Sequence, residues 1–317
     1  MIANLRVHPR NPDHRSVLDF APGTPDGASD VDPMGMVSLD PAAAVASLGG
    51  IARVRDVRML GVSKDAIHRA VTSSRTLRRP RYGVVALPDL PDPILRAAAA
   101  GGALAAVSAA DYYGLWTPQH AELHISVRAD AARRTRGRAR LVRDGSRLGR
   151  EERFVVSLQT CVRQCAVLLP FDEAVAVLDS ALHRAAAGIG TAVDLDALRH
   201  TLPHRLHGVL DAADARAEAG AESLARVRLA RIGIRARPQV WVTQKIRVDL
   251  LVQDRFVIEI GSKEFHADPT QYERDHDRAA TLLALGCDVL EFTTGQVIHD
   301  WAFVEGIVAD RVRATPH

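Results

Sequence analysis

The sequence predicts a multidomain protein of mixed α/β class, and three observations carry that expectation. Residues 247–252 (Arg-Val-Asp-Leu-Leu-Val) and 256–261 (Phe-Val-Ile-Glu-Ile-Gly) are two apolar runs of strand length, one short polar step apart. Segments of helical period precede and follow them, so the last third reads α-β-β-β-α-β-α, an α/β layer with a mixed sheet. Near the other end, short capped helices run into an arginine-rich hairpin.

A chain of 317 residues suits two or three cores rather than one. Its hydrophobic share of 47% and charged share of 25% are those of a globular protein, which excludes a wholly disordered or fibrous chain. The net charge of +3 is too small to argue for nucleic acid by itself, so the distribution of charge must decide. Cys161, Cys165 and Cys287 form no CxxC pair; they read as reduced core residues of a cytoplasmic protein, not as a disulfide or zinc framework. No apolar run reaches membrane-spanning length, and the polar, proline-bearing start is unlike a secretory signal, so no membrane partner is expected.

Residues 1–39 carry five prolines among Asp, Gly and Ser with no helical or strand period, and read as a disordered leader. Met34 and Met36 lie just before the first periodic segment, which makes either an expected alternative start to Met1. From Asp40 the pattern becomes compact. Asp40 caps a helix with Pro41 at its first position, running over 42–48 to Gly49-Gly50. A second short helix is expected over 52–60. Ser63 caps a third, and residues 77–87 read as a small hairpin. Three helices and a basic hairpin over 40–90 make a winged helix-turn-helix. In that geometry Ser63, Lys64, His68 and Arg69 sit on the helix that enters the major groove. Arg75, Arg78, Arg79 and Arg81 crowd the hairpin, where phosphates or the minor groove would meet them. A helical protein-interaction module is the other reading of the same segment.

The middle region, 91–213, reads as α+β: an alanine-rich helix or pair of helices over 93–110, a strand at 123–127, and amphipathic helices at 171–184 and 195–200. Between them lies the strongest basic run of the chain, from Arg128 through Arg150. It reads equally as a track for a nucleic-acid backbone or as a solvated strand-loop-strand. His200, His204 and His207 make no metal-ligand pattern and read as surface residues. The last domain, 214–317, opens with a helix from Ala215 that carries Glu222. Strands follow at 239–242, 247–252 and 256–261, then a helix over 268–285 stopped at Gly286, a strand at 288–292, and a closing helix over 296–313.

Register decides what the two acid-bearing strands can do. A two-residue turn would put Asp249 and Glu259 on opposite faces. A three-residue loop, Gln253-Asp254-Arg255, sets Val252 against Phe256, Leu250 against Ile258, and Asp249 against Glu259. Two carboxylates facing one another are destabilising unless a cation lies between them, so this register implies a divalent-metal site. Gly261 and Lys263 fall on the same face. A solvent-facing edge hairpin is the plainer alternative. Only three of the 41 basic residues are lysines, so Lys263 is not what this composition supplies by default.

These residues resemble a known architecture. The order above, with Glu222, Asp249 and Glu259 where they stand, resembles the PD-(D/E)XK restriction-endonuclease-like superfamily. More narrowly, RVDLLV, RFVIEIGSKEFH and YERDHDRAATLLALGCDVLEFT are similar to the domain related to very-short-patch (Vsr) mismatch-repair endonucleases. The resemblance covers roughly 215–315 and is specific over 247–292. Residues 40–90, and loosely 91–213, resemble the AbiEi-type antitoxins of type IV toxin–antitoxin systems, a fusion of actinobacterial type.

The resemblance implies that Asp249, Glu259 and Glu222 hold Mg²⁺, with Mn²⁺ as substitute. It implies that Lys263 stabilises the phosphate and that His266 acts as general acid/base or phosphate contact. The chain departs from the family in one place: Gly261 stands where an active-site acid is expected. Two functions therefore stay open. One is a metal-dependent endodeoxyribonuclease in phage defence or DNA repair; the other is a catalytically inactive, antitoxin-like regulator. Double-stranded DNA is the expected partner of both, and a cognate toxin that of the second.

Overall fold

The computed structural model describes residues 39–120, 122–127, 139–143, 154–261 and 269–314, with side chains for all of these except 269–276. All of the expected leader but Leu39 therefore lies outside the described residues, as does most of the basic run between 128 and 150. The chain divides into two compact units at Gly101/Gly102.

The first unit comprises α1 (Pro41–Ser47), β1 (Ile51–Arg53), α2 (Val54–Met59), α3 (Lys64–Thr72), β2 (Arg78–Arg81), β3 (Val84–Ala86) and α4 (Asp92–Ala99). α1 and α3 start where their caps predict. Asp40 Oδ2 accepts from the Ala43 N–H at 2.9 Å, and the Ser63 hydroxyl accepts from the Ala66 N–H at 3.1 Å. The expected helix over 52–60 is corrected at its front end. Residues 51–53 form a strand, because Ile51, Ala52 and Arg53 pair antiparallel with Ala86, Val85 and Val84. Long-range pairing outweighs local helical preference there. The three strands lie in the order β1-β3-β2, and Ala44, Val45, Val57, Ile67, Leu77 and Val85 close a small core.

The second unit runs β4 (Ala103–Leu104), α5 (Ala106–Tyr112), β5 (Leu123–Ser126), β6 (Ala139–Val142), α6 (Leu158–Leu168), α7 (Phe171–Ala186), α8 (Leu195–Thr201), a 3₁₀ turn at His204–Leu206, and α9 (His207–Asp211). It continues with α10 (Gly220–Arg231), β7 (Ala236–Trp241), β8 (Arg247–Val252), β9 (Phe256–Gly261), α11 (Pro269–Ala284), β10 (Asp288–Thr293), α12 (Thr294–His299) and α13 (Trp301–Ala314). The alanine-rich stretch is a pair of helices, α4 and α5, with the short β4 between them pairing with β5. The helix expected from Ala215 begins at Gly220, where a Cβ would lie 2.1 Å from the Trp116 ring, so only glycine admits this approach. The closing helix breaks at Asp300, and a Thr293/Gln296 capping box starts its first half at Thr294.

Four strands of this unit form a mixed sheet in the order β10-β9-β8-β7, with β10 parallel to β9 and the rest antiparallel. One face, through Leu250, Val252, Phe256 and Ile258, packs with α10, α12 and α13. The other buries Val248, Leu251 and Val257 with Leu282 and Cys287. α10 lies between this sheet and α7 and is buried nearly all round. Two ion pairs fix it to α7. Arg226 reaches Asp179 at 2.8 Å, and Arg228 reaches Asp172 at 2.7 Å. Asp179 is fully buried and also accepts the Asp214 N–H at 2.6 Å, so the pair is hydrogen-bonded as a buried charge must be. All three cysteines are buried and free. Among the described residues no helix is long and apolar enough to cross a membrane.

Candidate functional site

The loop between β8 and β9 is the three-residue one. Val252 pairs with Phe256, Leu251 with Val257 and Leu250 with Ile258, while Gln253 and Asp254 take φ of 51° and 56°. This register puts Asp249 and Glu259 side by side at the open end of the pair. There the backbone ladder gives way to a side chain: Asp249 Oδ2 accepts the Ile260 N–H at 2.8 Å. A carboxylate thus replaces a carbonyl in the sheet, held by a backbone donor.

Glu222 comes to the same place from α10. Its position in the first helical turn suits an acid electrostatically. It is 4% exposed, and Glu222 Oε2 accepts from the Glu218 N–H at 3.2 Å and from Gln239 Nε2 at 2.9 Å. The same Gln239 nitrogen lies 3.4 Å from Asp249 Oδ1. Glu259 Oε1 accepts from Arg278 Nη2 at 2.5 Å, and that nitrogen also donates to the Arg247 carbonyl at 2.8 Å. The structure therefore brings together Glu222, Asp249 and Glu259, with Asp249 in the middle.

The electrostatics agree with the crowding. Burial, reinforced by the charge of Asp249, pushes Glu222 up to about 7 against the pull of the Gln239 amide. Burial and the same Asp249 charge push Glu259 up to about 7, and the Arg278 guanidinium only partly offsets them. Two acids poised near neutrality beside a third are what a carboxylate cluster becomes when only protein donors balance it.

The donor chemistry suits a hard divalent cation, which takes carboxylate oxygens. Among the described residues, Glu222 Oε1 accepts no hydrogen bond and stands outside the donors that hold Oε2. Among the described residues no group of three His, Cys, Asp or Glu side chains forms a ready-made metal cage. Lys263 and His266 lie outside the described residues. Gly261 ends β9 exposed, and among the described residues a Cβ added there meets nothing within 4 Å, so the position has room for a carboxylate side chain.

Sequence reasoning missed two members of this site. Gln239 was legible only as a strand residue, and its reach to two carboxylates follows from a φ of 52° that no local pattern announces. Arg278 was one of several charged residues on an Asp/Arg-rich helix; its contact with Glu259 is a tertiary fact.

In the first unit, Ser63, Lys64, His68, Arg69, Arg75, Arg78, Arg79 and Arg81 are all exposed. Ser63 is occupied in capping α3. None of the five arginines makes a side-chain ion pair among the described residues. Tyr82, at the tip of the hairpin, is 94% exposed. No protein-family model matches the chain, and no curated protein matches it either.

Proposed function

We propose that this chain is a DNA-binding protein whose C-terminal α/β layer is built for metal-dependent hydrolysis of phosphodiester bonds, in phage defence or DNA repair. The observation that carries the reading is the convergence of Glu222, Asp249 and Glu259 from a helix and two strands onto one end of a mixed sheet. The element order α10-β7-β8-β9-α11-β10 supports the likeness to the PD-(D/E)XK and Vsr-like endonucleases. In this reading the three acids would hold Mg²⁺ or Mn²⁺. The cation would supply charge neutralisation at the scissile phosphate and a more acidic water. The protein's own part is to orient the acids from behind through Gln239, the Ile260 N–H and Arg278.

The first unit supports DNA engagement. Its order α1-β1-α2-α3-β2-β3 is the one a winged helix-turn-helix requires, as in AbiEi-type antitoxins. In that docking α3 presents Lys64, His68 and Arg69 to the major groove, and the hairpin presents its arginines to phosphates. Replacing Asp249 by Asn keeps the size and one acceptor but removes the charge. Plasmid nicking in Mg²⁺ is expected to fall by at least about 100-fold while duplex binding is unchanged. Undiminished nicking by the Asn variant would sink the assignment.

Gly261 favours a second reading. With no acid there, the layer has one oxygen ligand fewer, and a hard-cation site weakens accordingly. In this reading the protein is an antitoxin-like regulator that binds operator DNA, with a cognate toxin as partner. Sequence-specific duplex binding that survives EDTA, with no nicking in Mg²⁺ or Mn²⁺, is its signature.

A further inference from the structure

We propose that Gln239 is a positioning residue of the carboxylate site, holding Glu222 on α10 and Asp249 on β8 in fixed register. The inference rests on the reading of these acids as a cation site and adds a residue to it.

Three independent features single out Gln239. It stands inside β7 with φ of 52°, a left-handed conformation that a non-glycine residue rarely adopts in a strand. Such a conformation is strained and persists only where its surroundings over-determine it. The pairing of β7 with β8 is regular on both sides, Pro238 with Leu250 and Val240 with Val248, and skips the Gln239/Asp249 position between them. The one amide nitrogen then meets both acids, 2.9 Å from Glu222 Oε2 and 3.4 Å from Asp249 Oδ1.

Geometry explains why glutamine is needed. Glu222 and Asp249 come from different layers, so no backbone group in either element can bridge them. An amide NH₂ carries two protons on one nitrogen and can give one to each carboxylate. It carries no charge, so it orients the acids without competing for them as a lysine would. It engages Oε2 of Glu222 and leaves Oε1, just as the Ile260 N–H engages Oδ2 of Asp249 and leaves Oδ1 to the long contact. A cation would use Glu222 Oε1 and the second lone pair of Asp249 Oδ1, which the long contact leaves open. Outer-shell donors of this kind typically alter metal affinity by about 10–100-fold when removed.

The experiment measures Mn²⁺ binding by calorimetry on the full chain, for wild type and for Gln239→Ala, Gln239→Asn and Gln239→Gly. All three variants are expected to bind at least about tenfold more weakly, with Asn failing because its amide is one methylene short. Gln239→Gly is expected to melt above Gln239→Ala, because both lack the amide and only Gly relieves the backbone. That order separates the strain from the hydrogen bonds. Wild-type affinity in Gln239→Ala overturns the proposal. If the wild type binds no Mn²⁺, the cation-site reading fails, and the clamp is judged by a metal-free crystal structure of Gln239→Ala. Carboxylates of Glu222 and Asp249 drawn apart there uphold the proposal, and unmoved carboxylates overturn it.

Discussion

The two units handle charge in opposite ways. In the first, Arg69, Arg75, Arg78, Arg79 and Arg81 stand in solvent without ion pairs among the described residues. In the second, Glu222, Asp249 and Glu259 are drawn inward, and each is held by a named donor. Exposed charge needs no partner within the fold, because water solvates it; buried charge must be answered by the protein itself. The first arrangement leaves charge available to a large, flexible polyanion. The second spends structure on fixing a few oxygen atoms.

The contrast can be broken most directly on the exposed side. Each phosphate contact contributes about 0.9 to the salt slope, so the double variant Arg78→Ala/Arg79→Ala should lower that slope by about 2 and weaken duplex binding about 60-fold at about 0.1 M salt. An unchanged slope in a salt titration would remove the hairpin from the interface. At the carboxylate site, Gly261→Asp adds a carboxylate where no described residue crowds it and should strengthen Mn²⁺ binding by about tenfold if Gly261 is the missing ligand position. Calorimetry showing no gain would mean the acid is not wanted there.

The buried acids also set a pH dependence that the exposed arginines do not. Glu222 and Glu259 are raised from the usual 4.5 to about 7, so the folded chain holds protons that the unfolded chain has already lost. Their contribution to stability is complete below about pH 4.5 and is lost as pH climbs to about 7. Urea midpoints are expected to fall across that window and flatten above it. Mn²⁺ affinity should rise over the same window, because cation and protons compete for the same oxygens. The smallest effect concerns neither charge system. Asp40→Ala removes the α1 cap and should cost about 1 kcal/mol in the same urea measurement, with DNA and Mn²⁺ binding unaltered.

Much of this was legible in the sequence wherever the physics is local. Asp40 and Ser63 announce their helices because a cap is a contact over three residues. The β8–β9 register followed from the apolar pairing of Val252 with Phe256 and Leu250 with Ile258, which only one loop length satisfies. What escaped was set by distant partners. β1 is a strand because β3 is there to pair with it. α10 is buried on nearly all sides, so no amphipathic stripe marks where it starts. Gln239 and Arg278 belong to the site through contacts 10 to 19 residues away in sequence, between elements whose meeting no short pattern encodes.

The ion pairs that lock α10 to α7 make the carboxylate site a poor candidate for transplantation. The helix bearing Glu222 is bolted through Arg226 and Arg228 to Asp179 and Asp172, acids that precede residue 214. A fragment cut at 213/214 would carry its three site acids intact in sequence and yet strand two guanidinium groups whose counterions stayed behind. Any shuffling of this layer onto another carrier, by an engineer or by recombination, has to bring α7 along.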